Sequence, residues 1–297
     1  MQYLKSFCLP SQNREDGFIL SYSHKLEMRC FSDNIYPFKL FPQKQMPTLS
    51  FAPITIFYGG NGSGKSTLLN IIAEKLGLLR DAQFNFTPFY EDYLAFCSYE
   101  MHYGDHPPRG SRIITSDDVF DYLLHIRAMN QGIDDRREAL FREYEILTEK
   151  RDEPFLLTSL DEYDAFKQRQ EAKRSSKSAY VTARLGREQR TRSNGESAFC
   201  YFTERIREGA LYLLDEPENS LSVGLQKELA RFLEDSVRFY DCQLVISTHS
   251  PFLLSLPGAR IYDLDSLPVD VRAWTELENM RLYYDFFKAH EEAFQKS

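Results

Sequence analysis

The 297-residue sequence has no long apolar run, no paired cysteines and no excess of positive charge. Without an apolar run approaching the ~20 residues of a spanning helix, a membrane segment is excluded. The opening "MQYLKSFCLP" lacks the basic and apolar regions of a secretory leader, so a cytoplasmic protein is expected. The cysteines, Cys8, Cys30, Cys97, Cys200 and Cys242, are odd in number and scattered, with no CxxC spacing. That excludes a disulfide framework and a cysteine metal site, and fits a reducing compartment. A net charge of −8 excludes a chain that coats nucleic acid along its whole length. There is no internal repeat. The length suits one large domain, or a domain with an inserted lobe.

What the chain does contain begins with "YGGNGSGKST", residues 58–67. Gly59, four residues, then Gly64, Lys65 and Ser66 match the G-x-x-x-x-G-K-[ST] pattern of a phosphate-binding loop. Glycines let successive N–H groups turn inward around an anion. Lys65 would reach the β- and γ-phosphates, and the Ser66 hydroxyl would ligate Mg²⁺. The preceding "ITIFY" reads as a buried strand and the following "STLLNIIAEKL" as a helix, whose N-terminus favours a phosphate.

A phosphate loop needs a partner strand that brings an acid to the cation. In "ALYLLDEPENSLSV", residues 210–223, the apolar run Leu211–Leu214 predicts a central parallel strand with Asp215 at its carboxyl end. Asp215 can hold Mg²⁺, directly or through water, and Glu216 can act as general base on the attacking water. One strand–helix unit later, "CQLVISTHSPFLL" places His249 where a histidine can contact the γ-phosphate and the attacking water. Upstream, Ser193, Gly195 and Glu196 in "RSNGESAFCYFTERI" precede a helix and suit an anion at its start.

Between these motifs the character changes. Residues 167–192 hold nine Lys or Arg against Glu171 and Glu188. This is either a solvated surface segment or an anion-binding strip facing nucleotide phosphates or a nucleic-acid backbone. "SDDVFDYLLHIRAMN", with an N-cap at Ser116, and "DDRREALFREYEILTEKRDE" predict two helices of an inserted lobe. The tail "WTELENMRLYYDFFKAHEEAF" predicts an amphipathic helix, with Trp274, Tyr283, Tyr284, Phe286 and Phe287 expected in the core.

Taken in order, the motifs resemble those of the ATP-binding cassette (ABC-type) ATPases. Gly59, Gly60, Asn61, Gly62, Ser63, Gly64, Lys65, Ser66 and Thr67 match the phosphate loop, "SNGES" the signature, "LLDEPEN" the acidic strand, "SLSV" the D-loop and "STHS" the switch histidine. "SNGES" and "DEPENSLS" are unlike the transporter forms "LSGGQ" and "DEPTSALD". They look like the soluble branch: SMC-like repair ATPases, the overcoming-lysogenization-defect group and small stand-alone ATPases. The interval from phosphate loop to signature holds Pro154 and broken periodicity, which excludes a long coiled coil. Fewer than 50 residues follow His249, too few for a C-terminal nuclease. The family's Q-loop glutamine is replaced, at the end of "YLAFCSYEMHYG", by Glu100, a further candidate for the metal. Tyr36, Phe38 or Phe41 could stack the adenine.

The resemblance implies an α/β P-loop NTPase of ABC type, a mixed sheet with flanking helices and an inserted helical lobe. Residues 1–99 would form the N-terminal strands and phosphate-loop part, 100–192 the lobe, and 193–297 the signature, acidic strand, switch histidine and C-terminal helix. It also implies an ATP- and Mg²⁺-dependent homodimer, with Ser193 and Gly195 contacting the γ-phosphate in trans. The expected role is an ATP-hydrolysing switch in nucleic-acid transactions or phage defence. The alternatives are an ATPase that regulates a protein effector and the nucleotide-binding subunit of a transporter.

Overall fold

The computed structural model describes residues 1–29, 35–84, 86–149, 163–184 and 193–295. The chain divides into two compact units, Met1–Phe120 with Ser193–Ser297, and Asp121–Arg192. In chain order the elements are β1 (Leu4–Cys8), α1 (Gln12–Arg29), β2 (Leu49–Ser50), β3 (Ile54–Tyr58), α2 (Lys65–Leu76), α3 (Tyr90–Phe96), β4 (Ser98–Met101) and β5 (Arg112–Ile114). Then come α4 (Ser116–Glu149), α5 (Tyr163–Arg174), α6 (Lys177–Arg184), α7 (Asn194–Arg205), β6 (Leu211–Asp215) and α8 (Val223–Phe239). The chain continues with β7 (Gln243–Ser247), α9 (Pro251–Leu254), β8 (Arg260–Asp263), β9 (Asp270–Val271), α10 (Glu278–Ala289) and α11 (Glu291–Gln295).

The continuous apolar strands go to the middle. All five residues of β3, of β6 and of β7 are buried, as strands covered on both faces require. They lie in a six-stranded sheet of order β5-β6-β7-β3-β8-β9, parallel except for the β8–β9 pair. This order puts the carboxyl ends of β3, β5, β6 and β7 along one edge, where ligands of open α/β sheets bind. The second sheet, β2-β1-β4, is antiparallel. Fully buried Gln243 joins the two. Its Oε1 accepts from the Tyr3 and Leu4 N–H groups (both 2.7 Å), and its Nε2 donates to Leu4 O (2.9 Å) and Ala52 O (3.1 Å).

The second unit has its own small core of Leu140, Ala172, Tyr180 and Val181. Tyr180 donates to Glu143 (2.8 Å), Lys177 pairs with Glu145 (2.6 Å) and Arg184 with Glu171. Among the described residues no helix is long and apolar enough to cross a membrane.

The structure corrects four expectations. The lobe begins at Asp121 rather than residue 100, because β4 and β5 pair into the two sheets of the first unit. Its first two predicted helices are one, α4. A helical Gly costs ~1 kcal/mol, and at Gly132 it is bridged by the Gln131–Asp135 hydrogen bond (3.2 Å). The cap of α4 is Thr115, not Ser116: Thr115 Oγ1 accepts the Asp118 N–H (3.3 Å), and Asp118 accepts the Thr115 N–H (2.6 Å). Lastly, Trp274, Tyr283, Tyr284, Phe286 and Phe287 are exposed, since only Leu277 and Met280 anchor the tail.

Candidate functional site

The loop from Gly59 to Gly64 leaves β3 and enters α2 at Lys65. Only glycine fits at 59: a Cβ there would meet Ser63 Oγ at 2.6 Å and Ser63 Cβ at 2.8 Å. Ser63 is buried and its Oγ has no hydrogen-bond partner, while Asn61 and Gly62 are exposed. Lys65 is buried beneath the loop. Its Nζ donates to Gly59 O (2.8 Å) and Gly60 O (3.1 Å), and lies 3.5 Å from Glu216 Oε1. From β8's end Asp265 Oδ2 accepts the Gly60 N–H (2.6 Å), a contact no motif indicates.

The end of β6 brings the acids to this loop. Asp215 is buried and accepts from Ser66 Oγ (3.0 Å) and from Ser247 Oγ. Burial raises its pKa above the usual aspartate range; the two hydroxyls oppose this, the neighbouring Glu216 adds to it, and Lys65 offsets part. Glu216 adopts φ +47°, turning the chain sharply out of the strand. Its N–H bonds Ser247 O (3.0 Å) and Ser247 Oγ (3.1 Å), and Asn219 Nδ2 donates to its Oε2 (3.0 Å).

A cleft of about 510 Å³ opens beside Ser66, Thr67, Asn70 and Asp215. Its far wall is Thr115, Ser116 and Asp117, at the end of β5. β5 is the strand paired to β6, so its end, Thr115–Asp117, reaches this cleft, whereas Glu100 lies in the other sheet. Glu100 lies instead on exposed β4, paired with Lys5 (3.1 Å) and Ser6 (3.3 Å), and Lys5 holds its carboxyl below the usual glutamate range. These contacts hold Glu100 away from the residues that line the cleft. The three-residue strand "RII" is too short to announce itself, though the interval from the phosphate loop suits it.

Of the three aromatic candidates, Tyr36 lines the cleft and donates to Thr67 Oγ1 (2.9 Å). Phe38 is buried against Phe18 and Tyr93, and Phe41 against the loop at Gly64, so neither offers a ring face to a ligand.

His249 is partly exposed after β7, its Nε2 4.0 Å from Glu218 Oε1. Glu218 is a residue the motif reading passed over. It is 6% exposed, and Oε1 accepts from Thr248 Oγ1 (2.6 Å) and from the N–H groups of His249 (2.9 Å) and Ser250 (3.2 Å). One carboxylate oxygen therefore takes three of the hydrogen bonds that hold the turn carrying the histidine. The adjacency of "DEPE" to "STHS" on neighbouring strands was the available signal.

Ser193 caps α7 in a capping box: its Oγ accepts the Glu196 N–H (3.2 Å), and Glu196 accepts the Ser193 N–H (2.9 Å). Gly195 packs tightly, its Cβ position 3.0 Å from Leu225 Cδ1 and 3.2 Å from Ser220 O. Ser193 and Glu196 thus bond each other, and Gly195 rests on the turn that leads into α8. Of the basic segment, residues 185–192 lie outside the described residues, and Lys177 and Arg184 are engaged by acids of their own unit.

No curated protein matches the chain. Solved structures similar to it include the Smc head domain with an extended coiled coil from Pyrococcus furiosus, at 12% identity and a TM-score of 0.41, covering 96% of this chain and 100% of that one. Another is a nucleotide-free ATP-binding cassette from an ABC transporter, at 14% identity and a TM-score of 0.38, covering 89% of this chain and 88% of that one. The fold is a mixed sheet with flanking helices. One family model matches residues 105–255, just over half of the chain, from the approach to β5 through the signature and acidic strand to the end of α9. On that match the chain belongs to the family described as "AAA domain, putative AbiEii toxin, Type IV TA system".

Proposed function

We propose that the chain is an ATP-hydrolysing switch that dimerises around its nucleotide. The observation that carries this is the Ser66–Asp215 contact, which brings the helix end of the phosphate loop and the acid of β6 together at a cleft. These two oxygen donors fit a hard cation that shares its ligands with phosphates. Among the described residues no cluster of three or more His, Cys, Asp or Glu side chains could hold a metal. Ser66 and Asp215 would hold Mg²⁺, which when bound neutralises charge on the β- and γ-phosphates.

The remaining steps belong to the chain. Lys65 exchanges the Gly59 and Gly60 carbonyls and the Glu216 carboxylate for phosphate oxygens, so binding frees Glu216. Glu216, steadied by Asn219, accepts a proton from the water that attacks the γ-phosphorus as the bond to the β-phosphate oxygen breaks. His249 contacts the γ-phosphate, and Tyr36 flanks the base. Ser193 and Gly195 from a second copy complete the site, so loss of the γ-phosphate reopens the pair. Two identical sites then share one isologous interface.

The switch serves nucleic-acid transactions or phage defence on this reading, supported by the basic segment 167–192 and the toxin–antitoxin wording of the family description. Regulation of a protein effector is the second reading. It is favoured by Lys177 and Arg184 being already paired within their unit.

ATP binding and turnover test the core of the proposal. Lys65→Ala and Asp215→Asn should each abolish Mg²⁺-dependent turnover, and Glu216→Gln should bind ATP normally without hydrolysing it. Full hydrolysis by Asp215→Asn would refute the assignment.

A further inference from the structure

The C-terminal helix is the part of the fold that the ATP site does not use. Leu277 and Met280 are buried and the Asn279 N–H reaches Tyr58 Oη (3.3 Å), but every residue from Arg281 to Gln295 is exposed. A helix of twelve residues is marginal alone in water and gains its stability from burying a face. Here Leu282, Tyr283, Tyr284, Phe286 and Phe287 are 52–60% exposed. Clustered exposed rings on one helix mark an interaction surface rather than scattered surface apolar residues.

The charges say what covers it. Glu278, Arg281, Asp285 and Lys288 recur at three- and four-residue spacing, so they form a single stripe of alternating sign that is neutral within the helix. The opposite arc, with Leu282, Tyr283, Phe286 and Phe287, carries no charge. It offers no cation to a phosphate backbone, and two cations balanced by two anions give no attraction to an anionic membrane. An uncharged apolar arc is matched by another such arc, and a copy of itself supplies one. At roughly 100 Å² per half-exposed side chain, the four side chains of this arc bury about 400 Å² per copy. The total of about 800 Å² is that of a weak, concentration-dependent interface.

We propose that α10 pairs with α10 of a second copy in a two-fold, nucleotide-independent interface, distinct from the ATP-bridged one. The arm would keep two copies together while the nucleotide sites open and close.

Light scattering of the full chain without nucleotide, across about 1–100 µM, tests this. Wild type should run at twice the 34.8 kDa chain mass at the upper concentrations. Phe286→Glu/Phe287→Glu should weaken association at least 10-fold and keep wild-type ATP affinity, since the two rings are exposed. Ser193→Arg, aimed at the ATP interface, should remain dimeric. Tyr283→Cys, at the helix midpoint, should cross-link into dimers on mild oxidation beyond the wild-type background. A monomeric wild type throughout, including one that instead floats with vesicles, overturns the proposal. So does a Phe286→Glu/Phe287→Glu dimer as tight as wild type, or loss of the nucleotide-free dimer in Ser193→Arg.

Discussion

At φ +47° Glu216 occupies backbone space that costs a non-glycine residue about 1 kcal/mol or more. Two hydrogen bonds from its N–H to Ser247 hold it there, and its carboxylate rests between Lys65 and Asn219. Glu216→Gln should lower turnover ~10²–10⁴-fold while ATP affinity, followed by a fluorescent nucleotide, stays within a few-fold of wild type. Asp215 sets the pH response. Its raised pKa means that, in falling pH, it takes up a proton before an ordinary aspartate would, and a protonated acid cannot hold Mg²⁺. Mg²⁺-ATP affinity should therefore fall on the acid side at a pH above the usual aspartate range. That limb should be absent from the residual binding of Asp215→Asn in a titration by calorimetry. Glu218 acts through the turn it holds. Glu218→Ala should cut kcat ~10–100-fold by displacing His249 and leave ATP affinity within ~2-fold, whereas Glu218→Gln, which keeps an acceptor, should lose far less. Equal loss in both variants would point to a role for the charge itself.

Elements explain what could be read from the sequence and what could not. β3, β6 and β7 were legible because strands buried on both faces must be largely apolar, and each gives way to polar or glycine-rich residues at the sheet's carboxyl edge. β5 was not: three residues carry no period, so the more strand-like "CSYE" drew the Q-loop assignment to Glu100. α10 has the amphipathic pattern of a core helix. The pattern reports that a face needs covering, and cannot report that this chain leaves it uncovered. Gln243 was invisible for another reason, being a polar residue at the start of an apolar strand whose four hydrogen bonds are all made to distant backbone. Gln243→Leu would strand the buried Tyr3 and Leu4 N–H groups, at ~1–3 kcal/mol each. Urea denaturation should show a loss of about 3 kcal/mol, with nucleotide affinity in the folded protein unchanged.

For the whole molecule, the proposed site has two parts. Lys65, Ser66, Asp215 and Glu216 converge, while Ser193 and Gly195 sit at a capped helix start packed on the Ser220–Leu225 turn. On the proposed reading a second copy brings its Ser193 and Gly195 to this cluster. If the basic segment meets a nucleic-acid backbone, affinity for a short duplex should fall steeply between about 50 and 200 mM salt, and a flat response would favour a protein effector. The composite site itself is tested most directly by light scattering in the Phe286→Glu/Phe287→Glu background, where the arms cannot hold copies together. Adding Glu216→Gln should give a monomer without nucleotide and a dimer with ATP and Mg²⁺, and adding Ser193→Arg as well should return a monomer that still binds ATP. A protein that binds ATP yet stays monomeric with Glu216→Gln, or dimerises regardless of Ser193→Arg, would contradict the account.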